Sequence, residues 1–345
     1  MQHKRARVEE PNQYVGVASS KGRKQVQEDV PLLCHRVGER DRSFYAVLDG
    51  HGGSNCAAYA AERLPELLAS ELGGASTSSE IKEGIKNAFT KCDEEVLGEC
   101  ASKDWSDGCC VIGVLLDCEC TPPRVYCANL GDSRASVIPA VSNAPAPAPT
   151  AGPSSARSAG SEDQGPRPQL PMPPASNTTS TLHSCLRAIP LSKDHSPTEP
   201  KELKRIQHAG GRVTEGRVCG SLEVSRSLGD ARLKNHGLIA LPDITSFAVG
   251  PEQRFVLLAC DGLWKAFSGK EAIEFVHERL PRMDARRSEL RSLLGDAVKL
   301  SALTKEAVSK LQKERDATSE AAILKELVFE AVHDRNARDN VTCIL

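Results

Sequence analysis

The chain has 345 residues, of which 39% are hydrophobic and 26% are charged. Its 44 basic and 46 acidic residues nearly cancel, so the formal net charge is −2, and this balance does not favour binding to nucleic acid or to an anionic membrane. The apolar content is sufficient for a globular core, and no apolar run approaches the ~20 residues that a bilayer span requires. We therefore expect neither a nucleic-acid partner nor a membrane.

Cysteine usage indicates a reducing compartment. The thirteen cysteines are odd in number, and no two of them have Cys-x-x-Cys spacing. The basic start of the chain is not followed by the apolar segment of a secretory signal. We therefore expect reduced thiols in a cytoplasmic and/or nuclear protein. Residues 1–10 are predicted to be a disordered basic tail, with a short nuclear signal as the alternative.

Short β-branched and aromatic runs dominate the first 140 residues and predict strands. These runs are 14–17, 30–33, 44–48, 111–116 and 125–128. Between them, apolar residues at helical spacing predict helices over 54–70 and 81–97.

One stretch, residues 141–180, differs from the rest of the chain. It holds nine of the 21 prolines, and its only large apolar residues are Val141, Leu170 and Met172. Such a segment cannot bury enough apolar surface to offset the entropy of ordering, so we predict a disordered insertion. Two Pro-x-x-Pro sequences within it leave docking to a polyproline-binding module as an alternative to a passive loop. Because the insertion holds no motif residue, we expect it to be dispensable for catalysis.

The second half predicts helices over 200–209, 270–280, much of 285–315 and 319–333, and strands over 255–260 and 341–345. Strands come in clusters and do not alternate strictly with helices. This arrangement favours an α+β fold with stacked sheets over a doubly wound parallel sheet. Motif residues occur on both sides of the insertion, so we predict one domain over 11–345, interrupted by 141–180.

Acidic residues repeatedly stand at the ends of the apolar strands. Asp49-Gly50 follows one strand, Asp261-Gly262 follows another, Asp339 lies just before the last, and Glu28-Asp29 precedes the run that starts at Val30. A carboxylate there is held by a rigid element yet can face a cleft, and a following glycine lets the backbone turn sharply. Oxygen ligands of this kind suit Mg²⁺ or Mn²⁺. Each signal alone is weak, because an Asp-Gly after a strand is most often a turn.

At these residues the sequence resembles the type 2C, metal-dependent Ser/Thr protein phosphatases. The resemblance covers nearly the whole chain outside 141–180, and the segment 211–230 is most similar to the integrin-linked kinase-associated branch. The motifs that carry it are Val47-Leu48-Asp49-Gly50-His51-Gly52-Gly53, Ala128-Asn129-Leu130-Gly131-Asp132-Ser133-Arg134-Ala135, Leu191-Ser192-Lys193-Asp194-His195, Arg205-Ile206-Gln207-His208-Ala209-Gly210-Gly211, Val224-Ser225-Arg226-Ser227-Leu228-Gly229-Asp230, Leu258-Ala259-Cys260-Asp261-Gly262-Leu263-Trp264 and Arg338-Asp339-Asn340-Val341-Thr342.

The resemblance implies a four-layer α-β-β-α sandwich of two antiparallel sheets flanked by helices. It also implies two Mg²⁺ or Mn²⁺ ions per subunit and a monomer that acts on phosphoproteins. By motif match the site residues are Asp49 bridging both ions, Glu28 and the carbonyl of Gly50 on one ion, Asp261 and Asp339 on the other, Asp29 close by, Asp132 at a weaker third metal, and His51 as general acid. The expected reaction is direct attack on phosphorus by a water that bridges the two ions and is acidified by them, without a covalent enzyme intermediate.

Several positions depart from the family pattern. The arginine that grips the substrate phosphate four residues before the metal-site Glu is Lys24 here, with Arg23 beside it on a segment that we predict to be extended. We expect Lys24 to bind the phosphate, with Arg23 as the alternative. The Ser-Gly-Ser/Thr-Thr-Ala signature is Asp107-Gly108-Cys109-Cys110-Val111. Lys265 replaces an aspartate, and a cation there should weaken a third metal.

Two functions from different classes follow. The first is an active metal-dependent protein phosphatase, which is favoured because the core metal ligands are all present. The second is a pseudophosphatase that keeps the fold as a binding or regulatory module. A thiol-based phosphatase would need a Cys-x5-Arg loop. Only Cys34 and Cys118 are followed by an arginine at that spacing, Arg40 and Arg124, and neither lies in the motifs that carry the resemblance, so this class is set aside.

Overall fold

The computed structural model describes residues 15–139, 188–250, 253–295 and 319–345, together with Ser309. The strands in chain order are β1 Val17–Ser20, β2 Val30–Cys34, β3 Arg42–His51, β4 Gly108–Asp117, β5 Arg124–Leu130, β6 Arg134–Pro139, β7 Ile189–Pro190, β8 Val213–Thr214, β9 Arg217–Val218, β10 Leu228–Gly229, β11 Asp243–Ala248, β12 Gln253–Ala259 and β13 Val341–Ile344. The helices are α1 Asn55–Leu72, α2 Ser78–Lys103, α3 Pro200–His208, α4 Ala231–Lys234, α5 Asp261–Ala266, α6 Gly269–Gly295 and α7 Glu320–Phe329, which continues into a π-helical turn, Glu330–Asp334.

The strands form two main antiparallel sheets. The first sheet has the order β1-β13-β12-β6-β7, and the second has the order β11-β5-β4-β3-β2, with β10 paired to the start of β4. Strands β8 and β9 form a separate hairpin. The first sheet therefore joins segments from both sides of the region 140–187, as a single interrupted domain requires.

The central strands are buried on both faces, and their side chains alternate between two cores. On β3, Phe44, Ala46 and Leu48 pack in the core shared with α1 and α2, whereas Tyr45 and Val47 pack in the core between the sheets. This follows from the two-residue period of a strand. A third core joins the first sheet to α5, α6 and α7. The layers are thus helix, sheet, sheet and helix, and the predicted α-β-β-α sandwich is confirmed.

The helix ends follow local sequence chemistry. At the start of α2, the backbone N–H of Glu80 donates to Thr77 Oγ1, and the Glu80 carboxylate accepts from the Thr77 N–H at 2.9 Å, which together form a capping box. At α1, the N–H of Cys56 donates to Asp107 Oδ2 at 2.9 Å. Proline stands at the first position of α3, where its missing N–H is not needed.

Most predicted elements are present, with longer bounds than the sequence indicated. The bounds predicted for the first strand, 14–17, were wrong: the strand is Val17–Ser20. Gly16 nevertheless exchanges two backbone hydrogen bonds with Leu345. Strands β6 and β11 were missed. The helix predicted at 270–280 extends to Gly295, and most of the remaining helix up to 315 lies outside the described residues.

The basic tail over 1–10 and the insertion over 141–180 also lie outside the described residues. Both stay predictions. Among the helices that the structure describes, none combines the length and apolar character needed to cross a membrane.

Candidate active site

Four aspartates and a cysteine meet at one end of the two sheets. Ligand atoms of Asp29, Asp49 and Cys260 lie within 4.8 Å of one another, and so do those of Asp49, Asp132 and Asp261. Asp49 belongs to both groups, and it is therefore the centre of the cluster. Clustering of like charges at this density is unfavourable without a cation.

Each carboxylate is placed by the end of a strand. Asp49 is near the end of β3, paired in register with Cys110 on β4. Asp132 follows β5, Asp261 follows β12 as the first residue of α5, and Asp29 directly precedes β2. The expectation that strand-end acids lie together is thus met for Asp29, Asp49 and Asp261, and Asp132, which only the family resemblance had singled out, joins them.

Glu28 and Gly50 approach the cluster through the backbone. The N–H of Glu28 donates to Asn340 Oδ1 at 3.0 Å, and Asn340 Nδ2 donates to the carbonyls of Lys21 and Val26. Asn340 therefore anchors the loop that carries Glu28. A side chain at Gly50 would collide with the Glu28 carbonyl, so only glycine permits this close approach.

Burial and mutual repulsion disturb the titration of the cluster. Burial, aided by the charge of Asp261, raises the pKa of Asp132 to about 6, and burial raises the pKa of Asp29 to about 6. Burial and the neighbouring carboxylates raise the pKa of Asp49 well above its usual range. A positive charge bound beside these carboxyl groups would therefore favour their ionised form.

Two lysines enter the same cluster. Lys24 Nζ lies 2.6 Å from Asp339 Oδ1 and 3.4 Å from Glu28 Oε2, and Lys265 Nζ pairs with Asp261 and lies 3.5 Å from Asp339 Oδ2. Burial raises the pKa of Asp339, but the hydrogen bond and charge of Lys24 outweigh it, so that pKa lies below its usual value. Lys24 therefore links the carboxylates of Glu28 and Asp339. Neither residue belongs to the two groups whose ligand atoms lie within 4.8 Å of one another.

Arg23 is exposed, unlike Lys24. The prediction that their segment is extended was wrong: the Lys24 N–H donates to the Lys21 carbonyl at 3.2 Å and closes a turn. Gly22, at φ +57°, and Asn340, which bonds the Lys21 carbonyl, hold that turn.

His51 is the last residue of β3, and its side chain contacts an aspartate that lies outside the acidic cluster. Its Nε2 lies 2.7 Å from Asp230 Oδ2. Burial lowers the pKa of His51, but the hydrogen bond and charge of Asp230 outweigh it, so the pKa of His51 is raised. The imidazole is therefore held at the edge of the acidic cluster with a carboxylate behind it.

The cluster opens into a cleft of about 360 Å³. Its walls come from the strand ends, the two lysines and the segment after β9: Lys24, Asp49, Gly50, His51, Gly52, Cys110, Asp132, Arg217, Ser221, Leu222, Glu223, Val224, Asp261, Lys265 and Asp339. A larger cavity of about 560 Å³ between α6 and α7 lacks the carboxylate cluster, so the cleft is the candidate site.

Sequence reasoning gave no role to several residues in or beside the cleft. Asp230 follows the short strand β10 as Asp261 follows β12, so the same strand-end rule could have identified it. Cys110 could have been found from its register opposite Asp49. The lining segment 217–224 lies within the segment 211–230 that carries the resemblance to the integrin-linked kinase-associated branch, but sequence reasoning assigned its residues no role at the site.

The donor set fits hard divalent cations. Carboxylate and carbonyl oxygens converge from five separate segments, and oxygen is the ligand that Mg²⁺ and Mn²⁺ prefer. The two overlapping groups that share Asp49 are an arrangement able to hold cations on both sides of one carboxylate.

Comparison with known families identifies the family to which this fold and cleft belong. The family model "Protein phosphatase 2C" matches residues 14–143 and 180–314, so the chain belongs to the protein phosphatase 2C family.

Named relatives place the chain within this family. It is 33% identical over 277 residues to the human integrin-linked kinase-associated serine/threonine phosphatase 2C, covering 75% of this chain and 59% of that protein. The chain thus spans about three fifths of that relative's length. It is 32% identical over 336 residues to the probable protein phosphatase 2C 67 of Oryza sativa subsp. japonica, covering 95% and 73% of the two chains.

A solved structure has the same fold. The serine-threonine phosphatase 2C of Toxoplasma gondii superposes with a TM-score of 0.61 at 18% identity, covering 96% of this chain and 93% of that one.

Proposed function

We propose that this chain is a metal-dependent protein Ser/Thr phosphatase that hydrolyses phosphoserine and phosphothreonine by direct attack of water. The observation that carries the proposal is the convergence of Asp49 with Asp132 and Asp261 within 4.8 Å, beside a histidine that is bound to a carboxylate. Family membership supports the same reaction class.

The carboxylates would hold two divalent ions. Asp49 would contact both, Glu28 and the Gly50 carbonyl one, and Asp261 and Asp339 the other, with Asp29 behind them and Asp132 available to a weaker third ion. Bound Mg²⁺ or Mn²⁺ would supply the positive charge that acidifies a water and neutralises phosphoryl oxygens. The chain's own part is to fix the ligand positions and to keep the cleft narrow.

Lys24 would bind the substrate phosphate. Its ammonium group pairs with Asp339 and Glu28, two residues assigned to the ions. When cations neutralise those carboxylates, Lys24 can exchange them for a phosphoryl oxygen without leaving the cleft. Lysine offers a point charge in place of the two parallel hydrogen bonds of an arginine.

His51 would protonate the departing serine or threonine oxygen. An alkoxide is a strong base, so the P–O bond to the leaving oxygen breaks readily only if a proton is delivered to that oxygen. His51 lines the cleft next to the proposed metal-ligand pair Asp49-Gly50, where a general acid is needed. Water would form the new P–O bond as the bond to the leaving oxygen breaks, and the protein would carry no covalent intermediate.

The test is hydrolysis of a phosphothreonine peptide by the chain after exhaustive chelation and after addition of Mg²⁺ or Mn²⁺. We expect activity only with the added ion, and none in Asp49→Asn under either condition. Activity that survives chelation in the wild-type chain would exclude the proposed chemistry. Phosphate release is the direct readout.

A pseudophosphatase is the second candidate, and one observation favours it: Lys24 and Lys265 already pair with three of the acidic side chains. If so, the same assay would give no turnover with any ion, while the chain would still bind phosphopeptides. Retention of every core carboxylate favours the active enzyme.

Phosphoprotein substrates, a monomeric state and a cytoplasmic and/or nuclear location are part of the same proposal. They are supported by the phosphatase relatives, the near-neutral charge and the thirteen cysteines. Gel filtration and localisation of the tagged chain test the last two.

A further inference from the structure

Several contacts fix the position of Asp230, the hydrogen-bond partner of His51. Asp230 is 9% exposed, and its Oδ2 lies 2.7 Å from His51 Nε2 and accepts a hydrogen bond from Ser227 Oγ at 2.6 Å. Its backbone N–H donates to the Asp107 carbonyl at 3.1 Å. The carboxylate therefore has a fixed position before any substrate arrives.

The backbone around Asp230 is strained to reach that position. Asp230 has φ +51°, in the left-handed region that non-glycine residues seldom adopt. The preceding Gly229 donates its N–H to Asp93 Oδ1 at 2.9 Å, and Lys234 Nζ lies 2.7 Å from Asp93 Oδ2. Asp93 on α2 thus holds Gly229 and Lys234, which lie on either side of Asp230 in the chain.

The opposing strand is shaped to admit the pair. Gly108 is paired in register with His51 across β3 and β4. A side chain at Gly108 would collide with the Asp230 carboxylate and would lie 2.7 Å from His51 Nε2. The contact between imidazole and carboxylate therefore depends on an absent side chain on a third element.

We propose that Asp230 is a positioning residue for proton transfer: it fixes which nitrogen of His51 faces the reaction. This rests on the proposed role of His51 as general acid. An ionised carboxylate only accepts hydrogen bonds, so Nε2 must carry a proton toward Asp230. Nδ1 is then the nitrogen that delivers the acidic proton to the leaving oxygen.

Orientation matters because a general acid works only within hydrogen-bond reach of its target. An unrestrained imidazole can rotate about its side-chain bonds or exchange its tautomer, and each change moves the acidic proton away. Loss of Asp230 cannot cost more than loss of His51 itself. We therefore expect a decrease in kcat between about 10-fold and the ~10²-fold or more of a missing general acid.

The experiment compares Asp230→Asn with wild type on two substrates at saturating Mn²⁺. With a phosphothreonine peptide, kcat should fall at least about 10-fold and KM should change less than about twofold, because the proton acts in the transition state. With p-nitrophenyl phosphate, whose leaving group is a weak base, kcat should fall much less. Equal losses on both substrates would overturn the proposal.

Asp107→Asn is the matched control. Asp107 is also buried and lies in the same region, but its carboxylate accepts a hydrogen bond from the start of α1. It should lower thermal stability without changing the ratio of the two kcat values. A changed ratio in this variant would mean that general loosening of the region mimics the effect, and would overturn the assignment to Asp230.

The double variant His51→Ala/Asp230→Asn separates positioning from a structural role. If Asp230 acts through His51, the second substitution should lower peptide kcat less than twofold beyond His51→Ala. Multiplicative losses would overturn the proposal. The ¹⁵N spectrum of the His51 ring at fixed pH adds a readout independent of turnover: wild type should show the Nε2–H tautomer, and Asp230→Asn should show mixed tautomers.

The same variants show which assignment fails, the general-acid role of His51 or the positioning role of Asp230. A His51→Ala variant with equal losses on both substrates would exclude His51 as the acid, and with it the role of Asp230. If His51→Ala behaves as a missing acid while Asp230→Asn matches wild type, only the positioning role fails.

Discussion

Two groups of buried carboxylates in this molecule differ in whether the chain supplies their counter-charges. Glu202 on α3 accepts from Ser225 Oγ at 2.6 Å, lies 2.7 Å from Arg226 Nη2, and pairs with Arg205 at 2.7 Å. Burial raises the pKa of Glu202, but the hydrogen bonds from Arg226, Ser225 and Arg205 outweigh it and lower that pKa to about 2. This carboxylate is satisfied internally.

The cleft carboxylates are in the opposite state. Burial raises the pKa of Asp132 to about 6, and burial with repulsion from Asp29 and Asp261 raises that of Asp49. Lys24 and Lys265 compensate Asp339 and Asp261, at the mouth of the cluster, and not Asp49 at its centre. A buried acid that the fold leaves uncompensated indicates a site for a cation from solution, whereas a compensated one indicates structure.

The largest expected effect is that of Asp49→Asn on turnover. Removing the charge shared by both ion positions should lower kcat by at least ~10³-fold, on the scale of several kcal/mol of transition-state stabilisation. The metal-free variant should be at least as heat-stable as wild type, since a repelling charge is gone. Measured kcat together with melting in chelator checks both parts, and a destabilised metal-free variant would contradict the comparison.

Glu202→Ala should lower the free energy of unfolding and should not act on the catalysed reaction. Glu202→Ala would leave Arg205 without its carboxylate partner and Arg226 with Asp243 alone, which should cost up to about 3–5 kcal/mol of unfolding free energy, measured by urea denaturation. The control is Glu199→Ala, whose pair with Lys193 is exposed and should be worth less than about 1 kcal/mol. Similar losses in both variants would show that the Glu202 network is not special.

Lys24→Ala should raise KM for phosphopeptides several-fold, because an ammonium group attracts the doubly charged ground state. Lys24→Arg should keep or improve KM, since a guanidinium can donate two parallel hydrogen bonds. Arg23→Ala is the control, because Arg23 is exposed. If Arg23→Ala raises KM and Lys24→Ala does not, the phosphate-binding role belongs to Arg23.

The smallest expected effect is a pH dependence of opposite sign in the two regions. Glu202 has a depressed pKa, so its contribution to stability is present above ~4.5 and is lost as pH falls toward 2. Asp132 has a raised pKa, so its contribution is present below ~3.8 and is lost as pH rises through 6.

In chelator, Asp132→Asn should therefore flatten the melting profile between pH 4 and 7, and Glu202→Gln should flatten it between pH 2 and 4.5. Added Mn²⁺ should remove the difference between Asp132→Asn and wild type near neutral pH. A wild-type profile that is flat from pH 4 to 7 without metal would contradict the reading of the cleft as uncompensated.

Local sequence patterns predicted an α+β fold with stacked sheets and several acids of the cleft, whereas the four-layer order came from the family resemblance. A continuous aromatic and aliphatic run marked β3, and an acid at the end of an apolar run marked Asp49 and Asp261. The His51–Asp230 contact was not predictable in the same way, because it joins positions 179 residues apart through the two-residue strand β10. The turn at Lys21–Lys24 was missed because a distant residue, Asn340, holds it.

The pairing of β13 between β1 and β12 has a consequence for synthesis. The second sheet uses strands β2 to β5, β10 and β11, all made before residue 250, but the first sheet lacks the strand between β1 and β12 until residues 341–344 emerge. At ~5–20 residues per second, roughly 15–60 s separate translation of Glu28 from that of Asp339, and roughly 4–16 s separate the end of β12 from the start of β13. During the shorter interval the edge of β12 is unpaired, and an exposed edge invites association with other chains. A stalled or truncated nascent chain would thus be both inactive and prone to aggregate.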